Sequence, residues 1–376
     1  MKKFLDCISV VGATPSRFQG TKKYVSTGAV ATTEIDESEV VEVTYEDRPS
    51  RANLSAEAGD ILFAKMQGTR KTLLLDTETE ENIYSTGFYA VRANPEVITT
   101  ECLYYLVDSE LFLTQKDKHC SGATQKAITN GGLAKIEIRV PPLSEQGVMA
   151  EKLRYLTQLI ADKRKQLELY DQVIKSRFIE MFGDVKDEEK VTLSDICLII
   201  TDGTHQPPKF TTTGIPFLFV SNIVGNTITY DAEKFISQET YAELIKRTPI
   251  EIGDVLLSTV GSYGHPAVVK SDKPFCFQRH IAYLKPNKEL IDSEYLHGAI
   301  LSVDVQKQIE ERVKGIAQKT LNLSEIRKIK LPLPRIDEQK QFAAFVEQVD
   351  KSKFEIQQSL EKLEILKKSL MQQYFG

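Results

Sequence analysis

Pro141-Pro142-Leu143-Ser144-Glu145-Gln146 opens a heptad pattern that runs to Phe182-Gly183. Pro334-Arg335-Ile336-Asp337-Glu338-Gln339 opens a second that runs to Phe375-Gly376. Gln339 follows Gln146 by 193 residues, and Phe375 follows Phe182 by the same 193. The first copy has apolar or long side chains at Met149, Leu153, Leu156, Ile160, Lys163, Leu167, Tyr170 and Ile174. The second has them at Phe342, Val346, Val349, Lys353, Ile356, Leu360, Leu363 and Lys367. Steps of four and three residues alternate, which is the seam of a coiled coil. Ser144 and Asp337 are expected as N-caps, with a glutamate next to oppose the helix dipole, and Gly183 and Gly376 as C′ residues. One such stretch alone reads equally as an amphipathic core helix. Two ungapped copies favour a pair of long helices packed on each other. A helix of about 40 residues is roughly 60 Å long, more than a compact domain spans, so it acts as a spacer. The seam lysines cost stability; they either fix register and antiparallel orientation or sit where the seam opens.

The remaining sequence repeats on nearly the same period, 194 residues at the Gly-Asp strands and 193 at the Gln-Lys loops. In the first part, Val40 to Tyr45 alternates like a half-buried strand, Gly59-Asp60 precedes the apolar run Ile61-Leu62-Phe63-Ala64, and Phe88-Tyr89-Ala90-Val91 reads as another strand. Glu101 to Leu113 has helical spacing, and Ile136, Ile138 and Val140 alternate into the Pro141-Pro142 stop. In the second part, Gly253-Asp254-Val255-Leu256, Ile281 to Leu284, the helix around Tyr295-Leu296 and Ile329, Leu331 and Leu333 take the same places. Gly122-Ala123-Thr124-Gln125-Lys126 recurs as Gly315-Ile316-Ala317-Gln318-Lys319. The expected fold is α+β: mixed α/β domains at 1–143 and 184–336, and spacer helices at 144–183 and 337–376. The domains are a tandem duplication related by a pseudo-twofold, and the helices run antiparallel. The helices match at fixed spacing while the domains match only at their punctuation, so one fold has been kept under two different surfaces.

At 376 residues, two domains plus connectors are expected. No apolar run approaches the roughly 20 residues of a membrane span. The start, Met1-Lys2-Lys3-Phe4-Leu5-Asp6-Cys7, is broken by Asp6 and lacks a small-residue cleavage site, so it does not read as a signal peptide. Cys7, Cys102, Cys120, Cys197 and Cys276 form no CxxC or Cys/His cluster, which suits a reducing cytoplasm rather than a disulfide framework or a zinc site. The Asn-x-Ser sites at Asn53 and Asn322 are then chance matches. A net charge of −5 argues mildly against bulk attraction to nucleic acid but leaves room for a basic cleft.

No P-loop, no Gly-x-Gly-x-x-Gly at a strand end, no Asn-Pro-Pro-aromatic run and no metal-ligand spacing among His119, His205, His265, His280 and His297 is present. The polar loops carry more. Thr201, Asp202, Thr204, His205, Gln206 and Lys209 lie in a run rich in Gly and Pro. Ser258, Ser262 and Tyr263 lie in a glycine-containing loop, and Gln278-Arg279-His280 precedes a strand. Short hydroxyl side chains suit phosphates, while Arg and Gln read guanine and adenine edges. In the first domain the candidates are Thr14, Arg17, Lys22, Lys23 and Tyr24, and the basic run Lys65-Met66-Gln67-Gly68-Thr69-Arg70-Lys71, of which Lys65, Gln67, Thr69 and Arg70 are the contacts expected. Lys126 and Lys319 follow Gln in both copies, as a shared phosphate contact or a shared loop structure. For each stretch the plain alternative is a solvated surface loop.

This order of repeated Pro-Pro-Leu-Ser-Glu-Gln and Pro-Arg-Ile-Asp-Glu-Gln helix starts, Gly-Asp-Ile/Val-Leu strands, Gly-x-x-x-Gln-Lys loops and helices ending in Phe-Gly resembles the specificity subunit (HsdS) of type I restriction-modification systems. The resemblance covers essentially the whole chain. It implies two target recognition domains, each reading half of a bipartite, asymmetric site in double-stranded DNA, and helices that set the gap. It also implies docking of two modification subunits, which carry S-adenosylmethionine and methylate adenine, and assembly with restriction subunits. The chain itself would hold no cofactor or metal and no catalytic residue, and would work in the cytoplasm without a membrane. The first domain has no close match to the Asp-Gly-Thr-His loop at Asp202; the Gly12 to Tyr24 loop is nearest. The competing readings are a protein-interaction scaffold whose domains bind peptide or glycan, and a self-sufficient methyltransferase or nuclease.

Overall fold

The computed structural model describes residues 1–183, 186, 189–315 and 319–376. Met1–Arg164 together with Gln358–Gly376 form one compact unit, and Lys165–Gln357 form the other.

In the first unit the strands are β1 (Lys2–Lys3), β2 (Ile8–Val11), β3 (Lys22–Val25), β4 (Val41–Val43), β5 (Ala52–Leu54), β6 (Ile61–Ala64), β7 (Thr72–Leu74), β8 (Ile83–Ser85), β9 (Phe88–Ala93) and β10 (Glu137–Ile138). One antiparallel sheet has the order β2-β9-β6-β7, and a second, β4-β3-β8-β5, has β3 and β8 parallel. The Ile61–Ala64 run is buried throughout, as its continuous apolar character requires. The alternation over Val40 to Tyr45 gives only the three-residue β4, at a sheet edge: Val43 is buried while Val41 is exposed. Glu101 to Leu113 becomes two helices, α1 (Thr100–Val107) and α2 (Glu110–Lys118). The Ser109 hydroxyl ends the continuity by accepting the Phe112 amide. A short α3 (Asn130–Leu133) leads to β10, and then α4 (Leu143–Phe182) begins.

The second unit repeats the plan. It follows α4 with β11 (Val191–Thr192), α5 (Leu193–Ile196), β12 (Cys197–Asp202), β13 (Phe210–Thr211), β14 (Ile215–Leu218), β15 (Phe235–Ile236), α6 (Gln238–Leu244), β16 (Val255–Ser258), β17 (Pro266–Val268), β18 (Cys276–Phe277), β19 (Ile281–Pro286), α7 (Ser293–Ile300), α8 (Val303–Arg312), α9 (Leu323–Ile326), β20 (Lys330–Leu331) and α10 (Ile336–Phe375). Its antiparallel sheet is β12-β19-β16-β17. Its mixed sheet, β13-β15-β14-β18, again carries one parallel pair but at its edge rather than its centre, and β11 pairs with β20 as β1 does with β10.

Within each unit the two long helices run antiparallel. In the first, Met149 and Leu153 near the start of α4 share a core with Met371 and Phe375 at the end of α10 and with α1 and α2. In the second, Phe178 and Phe182 at the end of α4 pack on Phe342 and Val346 at the start of α10, with Phe178 and Phe342 edge to face at 5.4 Å. Such aromatic pairs add about 1 kcal/mol to the burial itself. Seam positions Met149, Leu153, Leu156, Ile160, Phe342, Val346, Val349 and Leu360 are buried. Lys163, Leu167, Tyr170, Ile174, Lys353, Ile356, Leu363 and Lys367 are only partly so, and Lys353 reaches Asp171 at 2.6 Å.

The repeated glutamines explain why the helix starts recur. Gln146 is fully buried. It accepts the Thr99 amide at 2.7 Å and donates to the carbonyls of Val97 and Pro141 at 3.0 and 2.9 Å. Gln339, also fully buried, accepts the Asp292 amide at 2.8 Å and donates to Leu290 and Pro334 at 3.1 and 2.8 Å. Both glutamines thus satisfy backbone groups at the N-terminus of the helix that follows the central sheet. The repeated Gly-Asp turns work alike. The buried Asp60 accepts the Glu57 amide at 2.9 Å and Asp254 the Glu251 amide at 2.8 Å, each beside a cation on the neighbouring strand, Arg92 or Lys285.

Two expectations about the helix ends are corrected. The helices start at Leu143 and Ile336, so Ser144 and Asp337 lie inside the first turn rather than at the cap; Glu338 instead reaches back to the Arg335 amide at 3.0 Å. Gly183 continues the helical bonding, donating to the Ile179 carbonyl at 2.8 Å, and is not among the glycines with positive φ.

Candidate nucleic-acid interface

In the second unit most of the polar candidates converge on one end of the antiparallel sheet. Thr204 donates its amide to the Phe277 carbonyl at 3.1 Å and accepts the Arg279 amide at 3.0 Å, and the His280 carbonyl accepts the Thr259 amide at 2.9 Å. Gly203 makes this crossing possible: a Cβ there would lie 2.2 Å from the Phe277 oxygen and 2.5 Å from that of Gln278. Asp202, Thr259, Arg279, His280, Thr320 and Asn322 line a cleft of about 410 Å³. The Arg279 guanidinium is exposed, and its Nε donates to His280 Nε2 at 3.4 Å. Burial, and then the charge of Arg279, lower the His280 pKa, which favours the neutral ring that this bond requires as its acceptor. Asp202 is not free to accept from a ligand, because Arg247 at 2.5 Å and His205 at 3.0 Å hold it; Arg247 also reaches Thr201 Oγ1 at 3.4 Å. The Thr204 hydroxyl donates to the Gln206 carbonyl at 2.9 Å, and Gln206 and Lys209 are exposed.

The neighbouring loop is held by a carboxylate. Glu310, near the end of α8, takes Lys319 at 2.5 Å and accepts the Tyr263 hydroxyl, and Lys319 donates to the Tyr263 oxygen at 3.3 Å. That hydrogen bond to Glu310, its largest cause, raises the Lys319 pKa. Ser262 is exposed at the loop tip. Ser258 is fully buried and accepts the His265 amide at 2.9 Å, so it shapes the hairpin rather than facing a ligand.

In the first unit the candidates fall into two groups. Thr14, Arg17 and Lys22 line a groove of about 770 Å³, but Glu57, Asp60, Glu80 and Glu81 line it too. Arg17 pairs with Glu46 at 2.9 Å, Lys22 with Glu81 at 3.1 Å and Lys23 with Glu37 at 2.8 Å. Tyr24 is 9% exposed and packs in the small core of the mixed sheet with Val43, Ala52 and Ile83, so it is not presented at the surface.

The second group is the β6–β7 loop. Its Gln67 amide donates to the Lys126 carbonyl at 2.9 Å, and Gln67 Nε2 to the Asp117 carbonyl at 3.3 Å. Lys65 lies 4.5 Å from the centre of the Tyr89 ring and donates to the Thr86 carbonyl at 2.9 Å; burial lowers its pKa. Arg70 points away into the α1–α2 junction, paired with Asp108 at 3.1 Å and Glu110 at 2.8 Å, and Lys71 donates to the Thr27 carbonyl at 2.5 Å. Gln67 and Lys126 are exposed, and Thr69 is half-buried with its carbonyl accepting from Lys116 at 2.7 Å. The glycines of the repeated Gly-x-x-x-Gln-Lys loops, Gly122 and Gly315, both have positive φ, 137° and 111°. A backbone demand therefore accounts for their recurrence. Ile316, Ala317 and Gln318 of the second loop lie outside the described residues.

Arg247, Lys116 and the Asp117/Glu310 pair are site components that the motif reading passes over. Lys116 had a legible signal, a lysine four residues after Phe112 on an apolar helix face. Among the described residues no group of three or more His, Cys, Asp or Glu side chains is placed to hold a metal ion, and no helix is long and apolar enough to cross a membrane.

Comparison with known proteins agrees with this architecture. At 26% identity over 269 residues the chain matches the specificity subunit of the type I restriction enzyme EcoBI from Escherichia coli, spanning 63% of this chain and 56% of that one. At 23% identity it matches that of MjaVIII from Methanocaldococcus jannaschii, spanning 63% of this chain and 60% of that one. These matches span well under two thirds of the relatives' length. The fold is shared with a chain from a structure of a type I restriction-modification system (TM-score 0.57, 20% identity, 99% of this chain and 96% of that one). It is also shared with the type I S subunit of M. genitalium (TM-score 0.57, 13% identity, 100% of this chain and 95% of that one). The family model for the type I restriction modification DNA specificity domain matches twice, over residues 12–169 and 185–367. The chain belongs to the type I restriction-modification DNA specificity family.

Proposed function

We propose that this chain is the DNA-reading subunit of a type I restriction-modification complex. Each unit's globular part reads one half of a bipartite, asymmetric site in double-stranded DNA. The helices α4 and α10 set the gap between the halves and dock two modification subunits, which carry S-adenosylmethionine; restriction subunits complete the assembly in the cytoplasm. The chain contributes recognition and no catalytic group.

The observation that carries this reading is the contrast between scaffold and surface. Gln146 and Gln339 make the same three bonds, and the antiparallel sheets have the same order, yet the mixed sheets are ordered differently and the loops at the sheet ends differ in charge and in how they are held. A scaffold kept constant under two different polar surfaces suits two different recognition tasks on one linear polymer. Arg279 and Gln278 at the rim of the second cleft, and Gln67 and Lys126 in the first unit, offer the donors and acceptors that base edges and phosphates take.

One observation favours the scaffold reading instead: Arg17, Lys22, Lys23 and Arg70 are each engaged by carboxylates. Salt dependence separates the two. Binding of the assembled complex to its DNA site should weaken along a straight log–log line whose slope is about −0.9 per neutralised phosphate. A slope near zero would support the protein scaffold.

A further inference from the structure

Lys116 is a lysine with 1% of its surface exposed, in the last turn of α2. Its ammonium donates to three backbone carbonyls of one loop: Ala64 at 3.4 Å, Met66 at 3.0 Å and Thr69 at 2.7 Å. Those oxygens belong to the turn that carries Lys65, Gln67 and Thr69, and they converge on a point that a lysine fills with three donors. The adjacent Asp117 takes the other polarity, accepting the Gly68 amide at 3.0 Å, and lies 3.5 Å from the Lys116 ammonium. The end of α2 thus clamps the loop through its carbonyls and through an amide.

The second unit shows that this clamp is a property of one copy. The residue 193 positions on from Lys116 is Ile309, buried in the apolar core, and among the described residues no buried lysine stands in the second unit. The position after it, Glu310, corresponds to Asp117, and holds its loop from the outer side through Tyr263 and Lys319. The same helix end therefore fixes both loops, by a buried cation in the first unit and by a surface carboxylate in the second.

We propose that Lys116 is a positioning residue for recognition of the first half-site: it holds the β6–β7 loop in the conformation that presents Gln67, and beside it Lys126, to DNA. The inference rests on the reading of that loop as a DNA contact. Burying a lysine among carbonyls costs desolvation, and a buried apolar residue, as at Ile309, would serve the core at least as well. The lysine's distinctive product is therefore loop conformation rather than core packing.

The test compares Lys116→Met and Lys116→Arg with the unchanged chain, each assembled with its modification subunits. Two quantities are read: hydrogen exchange of the peptide spanning residues 64–71, and binding to DNA sites carrying a mismatch in one half or the other. Lys116→Met should speed exchange of that peptide and cut discrimination at one half-site on the order of tenfold, the scale of one lost base contact, leaving the other half unchanged. Lys116→Arg, which keeps a cation and donors, should recover part of both. Unchanged exchange in Lys116→Met overturns the positioning role, as does equal loss at both half-sites, which marks a general folding defect. Faster exchange with both half-sites read as before keeps the clamp but removes this loop from recognition, which is a failure of the DNA-reading assignment instead.

Discussion

The Gln146 side-chain oxygen accepts the backbone amide of Thr99 at 2.7 Å, tying the first turn of a long helix to the cap of a helix 47 residues earlier in the chain. Because Gln146 is fully buried, replacing it by leucine leaves that amide and the Val97 and Pro141 carbonyls unpaired. A buried unsatisfied group costs about 1–3 kcal/mol, so Gln146→Leu should destabilise its unit by roughly 3 kcal/mol or more. Gln339→Leu should do the same to the other. Urea unfolding followed by hydrogen exchange of each unit checks this; a cost below about 1 kcal/mol contradicts it.

Gly203→Ala should damage one half-site only. The new methyl would lie 2.2 Å from the Phe277 oxygen and 2.5 Å from the Gln278 oxygen, and both are backbone atoms that cannot swing aside. Strain of this kind typically costs about 1–3 kcal/mol. It would displace Thr204 from the β18–β19 turn that carries Gln278 and Arg279. Binding to half-site mismatches should show relaxed discrimination at a single half, and equal effects at both would contradict the local account.

The candidate cations should separate in their salt dependence. Lys126 is exposed and Arg17 is paired with Glu46. Lys126→Ala should reduce the log–log salt slope by about one and weaken binding to all sequences alike. Arg17→Ala should leave the slope within error, because its charge is already balanced. The opposite order would move the interface to the Arg17 groove.

Acid should loosen the second unit before the first. His265, His280 and His297 all belong to it, and burial lowers the pKa of each below the ordinary 6.5. Near His297 lie Glu294, Lys270 and Asp350, whose opposing effects leave the lowering by burial dominant. The folded state thus favours neutral rings while the unfolded chain protonates at about 6.5. The unfolded state binds more protons below that value, so stability falls as pH drops through it. Hydrogen exchange corrected for intrinsic rates should show protection of residues 165–357 falling between pH 7.5 and 5.5, with residues 1–164 less affected. Equal loss in both would contradict the assignment.

Local and periodic features of this fold are legible in the chain. The heptad steps place both long helices to within a residue, and the fixed interval between Gln146 and Gln339 announces two copies of one contact. Gly-Asp before an apolar run marks β6 and β16, because a buried carboxylate closes the turn in each. What depends on distant partners is not legible. Tyr24 reads as a polar aromatic on a basic loop, yet tertiary packing buries it. Arg70 reads as the centre of a basic run, but Asp108 and Glu110, some 40 residues on, turn it inward. Lys116 breaks the apolar face of α2, and only the folded loop supplies the three carbonyls that explain it. The division into two units, each taking one end of both long helices, likewise follows from packing rather than from sequence order.

The sharpest test is genome-wide mapping of methylated adenine in cells that co-express this chain with its modification subunit. A new bipartite, asymmetric motif with a fixed gap is expected, one half lost in chains whose first loop is altered and the other in chains whose second is. An assembled, cofactor-binding complex that adds no methylation at any such motif would contradict DNA reading and return the duplicated domains to a scaffold role.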